Sequence, residues 1–295
     1  MEIDCVFSGG GVKAYAYLGA LQSMNEHRLH IKRVAGTSAG AIFAGLLAAG
    51  YNSKEIQTIL EDLQLEKLLD PPLLSKYIPI TKWLLLYGQK GLYKGDALES
   101  WLDNLLAKKG IVTFGDIKNH ELKVVISDIS LGRLIVIPDD LERVYGLTPE
   151  TFKVATAIRM SASFPYFFMP KKLYYKDRSY SYIVDGGLLS NFPLWIFRTK
   201  DRDVRPVLGI TLSDSVENSQ PAKVSNGIDM FRALFLAMMR AHDTRYVSKQ
   251  MEDQVVFIQV KEIKTVDMSI TETTKQQLIQ LGKEETTAFL KSWPK

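Results

Sequence analysis

The chain opens on alternation. Met1-Glu2-Ile3-Asp4-Cys5-Val6-Phe7 switches between polar and apolar positions and predicts a first strand. Ala14 to Leu21 is apolar and predicts a helix. Ile31 to Ala35 carries two β-branched residues and predicts a second strand. Ala41 to Ala49 is apolar and built from small side chains, which predicts a tightly packed second helix. Asn52 or Ser53 then caps a helix with Ile56, Ile59, Leu60 and Leu63 on one face. Pro71-Pro72 breaks the chain.

Further on, Gly95 or Asp96 starts a helix whose apolar positions are Leu98, Trp101, Leu102, Leu105 and Leu106. Thr113 to Asp116 is a turn, Leu122 to Ser127 a strand, and Arg133 to Pro138 another. A helix is expected from Thr148 or Pro149 through Ile158. Ser181 to Val184 is a strand that runs into Asp185. The unbroken apolar run Val207 to Leu212 reads as a buried strand. The tail holds a strand, Val255 to Val260, between two helices, the first spanning Ile228 to Tyr246.

Strands alternating with helices predict an α/β fold, a three-layer α/β/α sandwich around a mainly parallel sheet, with a helical insertion near residues 53–110. The 295 residues are enough for one large domain with a sizeable core, and no repeat or low-complexity linker divides them. Residues 1–295 are therefore read as one domain. Its motifs lie within 3–215, and 216–295 completes the fold.

Composition narrows the function little. A net charge of +4, from 37 basic and 33 acidic residues, is too slight for a nucleic-acid partner and modestly favours an anionic membrane surface. Cys5 is the only cysteine and sits in the first strand, so no internal disulfide is expected. One cysteine and four scattered histidines make no metal site, and no cofactor is expected. The start carries Glu2 and Asp4 with no basic or apolar leader region, and no run of about 18 apolar residues follows. The expected location is cytoplasmic or peripheral at a membrane surface, without a transmembrane anchor.

Three turns carry the chemistry. Gly36-Thr37-Ser38-Ala39-Gly40 sits between a predicted strand and a predicted helix, the context of a nucleophile elbow. The helix that follows would direct free N–H groups at developing negative charge. Ser8-Gly9-Gly10-Gly11-Val12-Lys13 also links a strand to a helix, and its glycines expose N–H groups that suit an oxyanion. Gly9, Gly11 and Ala14 match a dinucleotide fingerprint, but that fingerprint requires an acid at the end of the second strand. Gly36-Thr37-Ser38 stands there instead. The third turn, Asp185-Gly186-Gly187, leaves the carboxylate open on one side; by itself it reads equally as an ordinary turn.

Together, and in this order, the three turns resemble the patatin-like phospholipases. Ala157 to Pro165, followed by Phe168 and Pro170, resembles the segment that precedes the family's catalytic aspartate. Asn191-Phe192-Pro193 resembles the one that follows. Ala14 departs from the glycine found there in many bacterial members. The resemblance covers about residues 3–215. It implies a lipid acyl hydrolase working through a Ser–Asp dyad, with Ser38 as nucleophile and Asp185 as base. It implies an oxyanion hole from the N–H groups of Gly10 and Gly11. Elbow geometry adds that of Ala39, with Gly9 and Lys13 in support. A carboxylate with a pKa near 3.9 is a poor base for a hydroxyl. Oxyanion stabilisation, worth about 3–4 kcal/mol per donor, must then carry much of the rate. The acid limb of the pH–rate profile is expected nearer about 4 than about 6.5, unless burial beside the elbow raises it by about a unit or more.

Two other readings stay in view. A Ser-His-Asp esterase would need His242, the only histidine in the right chain order; His27 and His30 are expected on the surface and His120 in a polar turn. A binding module with a decayed site would keep the fold without the chemistry. Tyr77 to Tyr87 suits the core of the insertion before a membrane interface, and Phe164 to Met169 suits an acyl channel or core equally. Chain length and positional preference are not legible.

Overall fold

A computed structural model describes residues 1–71, 88, 90–117, 122–197, 205–212, 224–225, 230, 233–235, 237–238, 253–260 and 270–293. The elements are β1 (Glu2–Phe7), α1 (Ala16–Glu26), β2 (His30–Thr37), α2 (Ala39–Ala48), α3 (Ser53–Glu61), β3 (Gly91–Tyr93), α4 (Asp96–Lys108), β4 (Leu122–Asp128), β5 (Arg133–Ile137), α5 (Val154–Ser161), β6 (Tyr166–Phe168), β7 (Lys171–Tyr174), β8 (Tyr180–Asp185), β9 (Val207–Thr211), β10 (Val255–Phe257) and α6 (Glu272–Leu290).

The main sheet runs β10-β9-β1-β2-β4-β8-β7, with β5 also paired to β4. From β10 to β4 every neighbouring pair is parallel. Alternation sends β1 side chains to two cores. Ile3, Cys5 and Phe7 join the large cluster with α1, α2, α4 and α5. Val6 joins a smaller one with Ala35, Phe192, Leu194 and Phe197. The mainly parallel α/β sheet expected from the sequence is the one observed.

One feature of the topology creates the site. On one edge of β4, β2 pairs with its first half, ending at Thr37 opposite Val125. On the same edge β8 arrives from the other direction and pairs with the second half, ending with Asp185 opposite Ile126. The opposite edge is taken by β5 from Val124 to Asp128. Two strands thus meet end to end along one neighbour, and the residues at their tips are Ser38 and Asp185.

The helix predicted from Thr148 is broken. A 3-10 turn spans Pro149–Thr151, Phe152 and Lys153 are extended, and only then does α5 begin. The break is tertiary: Phe152 O accepts from Phe114 N–H at 3.0 Å, and Lys153 bridges Thr113. Those backbone pairings outweigh local helical preference. The insertion holds the two expected helices, and α3 carries the expected Asn52 cap, with Glu55 closing a capping box. It is not purely helical, however. β3 pairs in parallel with β6, Gly91 beside Tyr166 and Tyr93 beside Phe168. The segment Tyr77 to Tyr87 lies outside the described residues. In the tail, β10 and α6 match expectation. The helix predicted from Ile228 falls largely outside the described residues, although Met230, Ala233, Leu234 and Phe235 are helical. No described helix is long and apolar enough to cross a membrane.

Candidate active site

Ser38 occupies the turn between β2 and α2 with φ 55° and ψ −125°. A positive φ is costly for a residue with a Cβ and points to a tightly determined turn. The glycines on either side allow it. A Cβ on Gly36 would fall on the Gly40 carbonyl, and a Cβ on Gly40 would fall on the carbonyls of Phe7 and Ser8. The elbow is therefore pressed against the end of β1.

Ser161 pins this turn from below. Its hydroxyl accepts a hydrogen bond from Ser38 N–H at 2.9 Å and donates to Val125 O on β4 at 2.6 Å. It is fully buried. Two residues on, Ser163 O accepts from Asp185 N–H at 2.9 Å. Ser163 Oγ takes a short bond from the buried Arg159 guanidinium, which also donates to Gly95 O at 2.8 Å and Met169 O at 3.1 Å. Burial lowers the Arg159 pKa, with Glu99 the largest opposing charge.

Ser38 Oγ donates to Asp185 Oδ2 at 2.6 Å. The other carboxylate oxygen accepts from Gly187 N–H at 2.7 Å. Gly186 has no room for a side chain, since a Cβ would meet Val125 O. Asp185 is only 2 % exposed. Burial raises its pKa from 3.8 to about 7, against the lowering effect of the bonds from Ser38 and Gly187. Burial therefore moves the expected acid limb up from near 4 toward the histidine range.

The glycine loop lies alongside. The space a Gly9 Cβ would need is occupied by the Asn191 side chain, with Ser38 Cβ 3.2 Å away. Gly9 N–H is consumed by Asn191 O at 3.0 Å. Tyr17 and Ser8 brace the loop, the Tyr17 hydroxyl donating to Ser8 O at 2.5 Å. Among the described residues, the N–H groups of Gly10, Gly11 and Ala39 find no acceptor. Gly11 has φ +55°, a conformation suited to glycine. Lys13 N–H closes the turn on Gly10 O at 3.2 Å, and its ammonium donates to Val260 O at 3.3 Å.

From Ser38 a pocket extends between α2, α4 and the segment after α3, with about 990 Å³ of empty space including its open mouth. Its walls include Ile42, Leu46, Leu65, Trp101, Phe164 and Phe168, and among the described residues no charged side chain lines it. Phe164 to Met169, left open between core and channel by the sequence, contributes three of its rings to this wall.

The residues singled out from the sequence largely converge: Ser38 with Asp185, and beside them Gly9, Gly10, Gly11 and Ala39, whereas the Lys13 ammonium donates to Val260 O. His27 and His30 are on the exposed surface, while His120 and His242 lie outside the described residues. Sequence reasoning missed the part played by Arg159, Ser161 and Ser163. Their signal is the Ala157 to Pro165 segment, where Arg159 and Ser161 end α5 and Ser163 follows, and it does not say what they hold.

Comparison with known proteins agrees with the fold. A protein from Bacillus subtilis (strain 168), YqhO, uncharacterized, is 46 % identical over 293 residues, 99 % of each chain. The probable lipid hydrolase 463L of invertebrate iridescent virus 6 is 28 % identical over 192 residues, 64 % of this chain and 61 % of that one. Among solved structures, VipD from Legionella pneumophila superposes with a TM-score of 0.59 at 20 % identity, over 98 % of this chain and 67 % of VipD. The type III effector ExoU gives 0.53 at 17 %, over 99 % and 53 %. The family model for patatin-like phospholipases matches residues 5–198, which take in all three turns, and the chain belongs to that family.

Proposed function

We propose that the protein is a serine lipid acyl hydrolase, cleaving acyl esters of phospholipids or related lipids through a Ser38–Asp185 dyad. One observation carries the reading: Ser38 Oγ is hydrogen-bonded at 2.6 Å to a buried carboxylate, at the head of an uncharged apolar pocket. The names of relatives support the class of reaction, including the triacylglycerol lipase ptl3 of Schizosaccharomyces pombe, 27 % identical over 68 % of this chain and 40 % of that one.

In this mechanism ionised Asp185 accepts the Ser38 proton as Oγ attacks the ester carbon. Its raised pKa makes it a better base than an ordinary carboxylate. The N–H groups of Gly10, Gly11 and Ala39 receive the oxyanion. Asp185 then returns the proton to the departing alcohol, leaving an acyl-enzyme on Ser38. A water, deprotonated by the same carboxylate, releases the fatty acid. The pocket takes the acyl chain by burying apolar surface.

The test is Ser38→Ala. Hydrolysis of a soluble ester and covalent labelling by a fluorophosphonate are both expected to vanish, with the circular dichroism spectrum unchanged. Turnover at the wild-type rate in that variant refutes the proposal. A wild-type protein that folds yet neither labels nor hydrolyses would favour a binding module.

A further inference from the structure

The β7–β8 hairpin carries a surface that the hydrolytic site leaves unused. Register places Lys172 opposite Tyr182 and Tyr174 opposite Tyr180. Paired residues and their second neighbours share a face, so these four side chains lie together. The other face carries Leu173 and Ser181, both buried. The outward face is aromatic and cationic. Tyr174 and Tyr180 are 52 % and 42 % exposed, with ring centres 5.7 Å apart, and Tyr182 continues the row at 5.4 Å from Tyr180. Lys172 Nζ stands 4.1 Å from the Tyr180 ring centre and Lys90 Nζ 5.0 Å from that of Tyr182. Neither lysine pairs with a carboxylate among the described residues. The hairpin's own acid, Asp177, is engaged by Ser179.

Beside this face the β4–β5 turn is fixed by two hydrogen bonds. Ile129 N–H donates to Tyr182 O at 3.0 Å, and Tyr182 N–H donates to Ser130 Oγ at 2.9 Å. The turn holds out Ile129, 49 % exposed, and Leu131, 45 % exposed. Aliphatic tips, tyrosine rings and lysines are the three chemistries of a lipid–water boundary. Large apolar side chains gathered on a surface mark an interaction site. Here they stand on a turn and a hairpin, where a protein partner would have to supply a matching groove. A bilayer needs none, and unpaired lysines favour an anionic one. The hairpin is also rooted in the site, since β8 ends on Asp185 and β6, which walls the pocket, leads into β7.

We propose that Ile129, Leu131, Tyr174, Tyr180, Lys90 and Lys172 form a docking face that seats the protein on an anionic bilayer. The inference deepens the lipid-hydrolase reading and is tested apart from it, by co-sedimentation with vesicles of phosphatidylcholine alone or with added phosphatidylserine. Wild-type protein and Ser38→Ala are expected to bind the anionic vesicles equally and to be released by salt. The Lys90→Gln/Lys172→Gln pair should bind about 30-fold more weakly, from about fivefold per lysine. Ile129→Ser/Leu131→Ser should also lose binding. Both pairs should keep wild-type turnover of a soluble short-chain ester, which separates docking from chemistry. Variants that sediment like wild type overturn the proposal, as does a wild-type protein that ignores anionic vesicles. So does a wild-type dimer that either pair converts to monomer, since a second copy would then be the occupant.

Discussion

At the scale of the residue, the site turns on one buried carboxyl. Native Asp185 keeps its proton up to about pH 7, whereas in the unfolded chain it loses it near 3.8. Between those values the native state binds more protons, so stability from this group is full below about pH 4 and is lost as pH rises to 7. Asp185→Asn cannot titrate, so the variant should melt higher than wild type at pH 8. That gain should shrink toward pH 4, as thermal scans across the range would record; the reverse trend would mean the carboxyl is not held neutral. Activity has the opposite dependence, since the ionised form is the base. Asp185→Asn should lose at least about 100-fold in turnover. The wild-type acid limb should fall near 7, and it should stay there in His27→Ala and His30→Ala. Ser161 supports a finer expectation. Ser161→Ala removes the acceptor that holds Ser38 N–H in its strained turn, so kcat and the fluorophosphonate labelling rate should both fall about 10-fold or more, with KM little changed. Ser161→Thr, which keeps a hydroxyl, should recover part of the loss. An alanine variant with normal labelling would leave Ser161 a core residue only. Ser38 and the glycines were legible in the sequence because strained turns and close approaches restrict residue type locally, whereas Asp185 stood out only through the family resemblance of the three turns together. Ser161 and the pKa of Asp185 were not, because both depend on what packs over them from distant segments.

At the scale of the element, the closest glycine packing joins α1 to α6. α1 and α6 approach through glycines: a Cβ on Gly19 would fall on Ile279 O, and one on Gly282 would fall on Ala16 O. Backbone on backbone leaves no flexible side chain to yield. Gly282→Ala should therefore destabilise the fold by about 1–3 kcal/mol through overpacking, even though alanine is the better helix former. Urea unfolding measures this, and a stabilised variant would show that propensity outweighs contact. The same contrast explains which elements were legible. α3, α4 and the parallel strands carry their own signals, a capping box, apolar residues at helical spacing or a continuous apolar run. β3, β6 and the broken start of α5 carry none, because each exists only through pairing with a remote backbone, Gly91 with Tyr166 or Phe152 with Phe114. Helical character read over residues 53–110 thus hid β3, the strand that pairs with β6 behind the pocket wall.

At the scale of the whole molecule, the catalytic turns and the frame that holds them have different extents. The family match ends at residue 198, and every proposed catalytic group lies before it. The sheet does not end there. β9 is inserted between β10 and β1, and Ser8 N–H, which leads into the glycine loop, is anchored on Ile210 O at 3.1 Å. Leu212 fills the space beside Gly10. α6 then covers α1, the helix that leaves that loop, with Leu278 and Leu290 buried in the main core. Residues after 198 are thus structural partners of the oxyanion loop, in keeping with a single cooperative unit. A chain ended after residue 198 would expose the β1 edge and the whole inner face of α1. It should fail to give a cooperative thermal transition and should label no more with fluorophosphonate than Ser38→Ala does. A chain ended after residue 260 retains β9 and β10 but not α6. It should fold at best to a loosened state, with secondary structure in circular dichroism but weak labelling, because the helix that buries α1 is gone. If either truncated chain melted cooperatively and labelled at the wild-type rate, the C-terminal part would be an accessory rather than a support of the oxyanion loop.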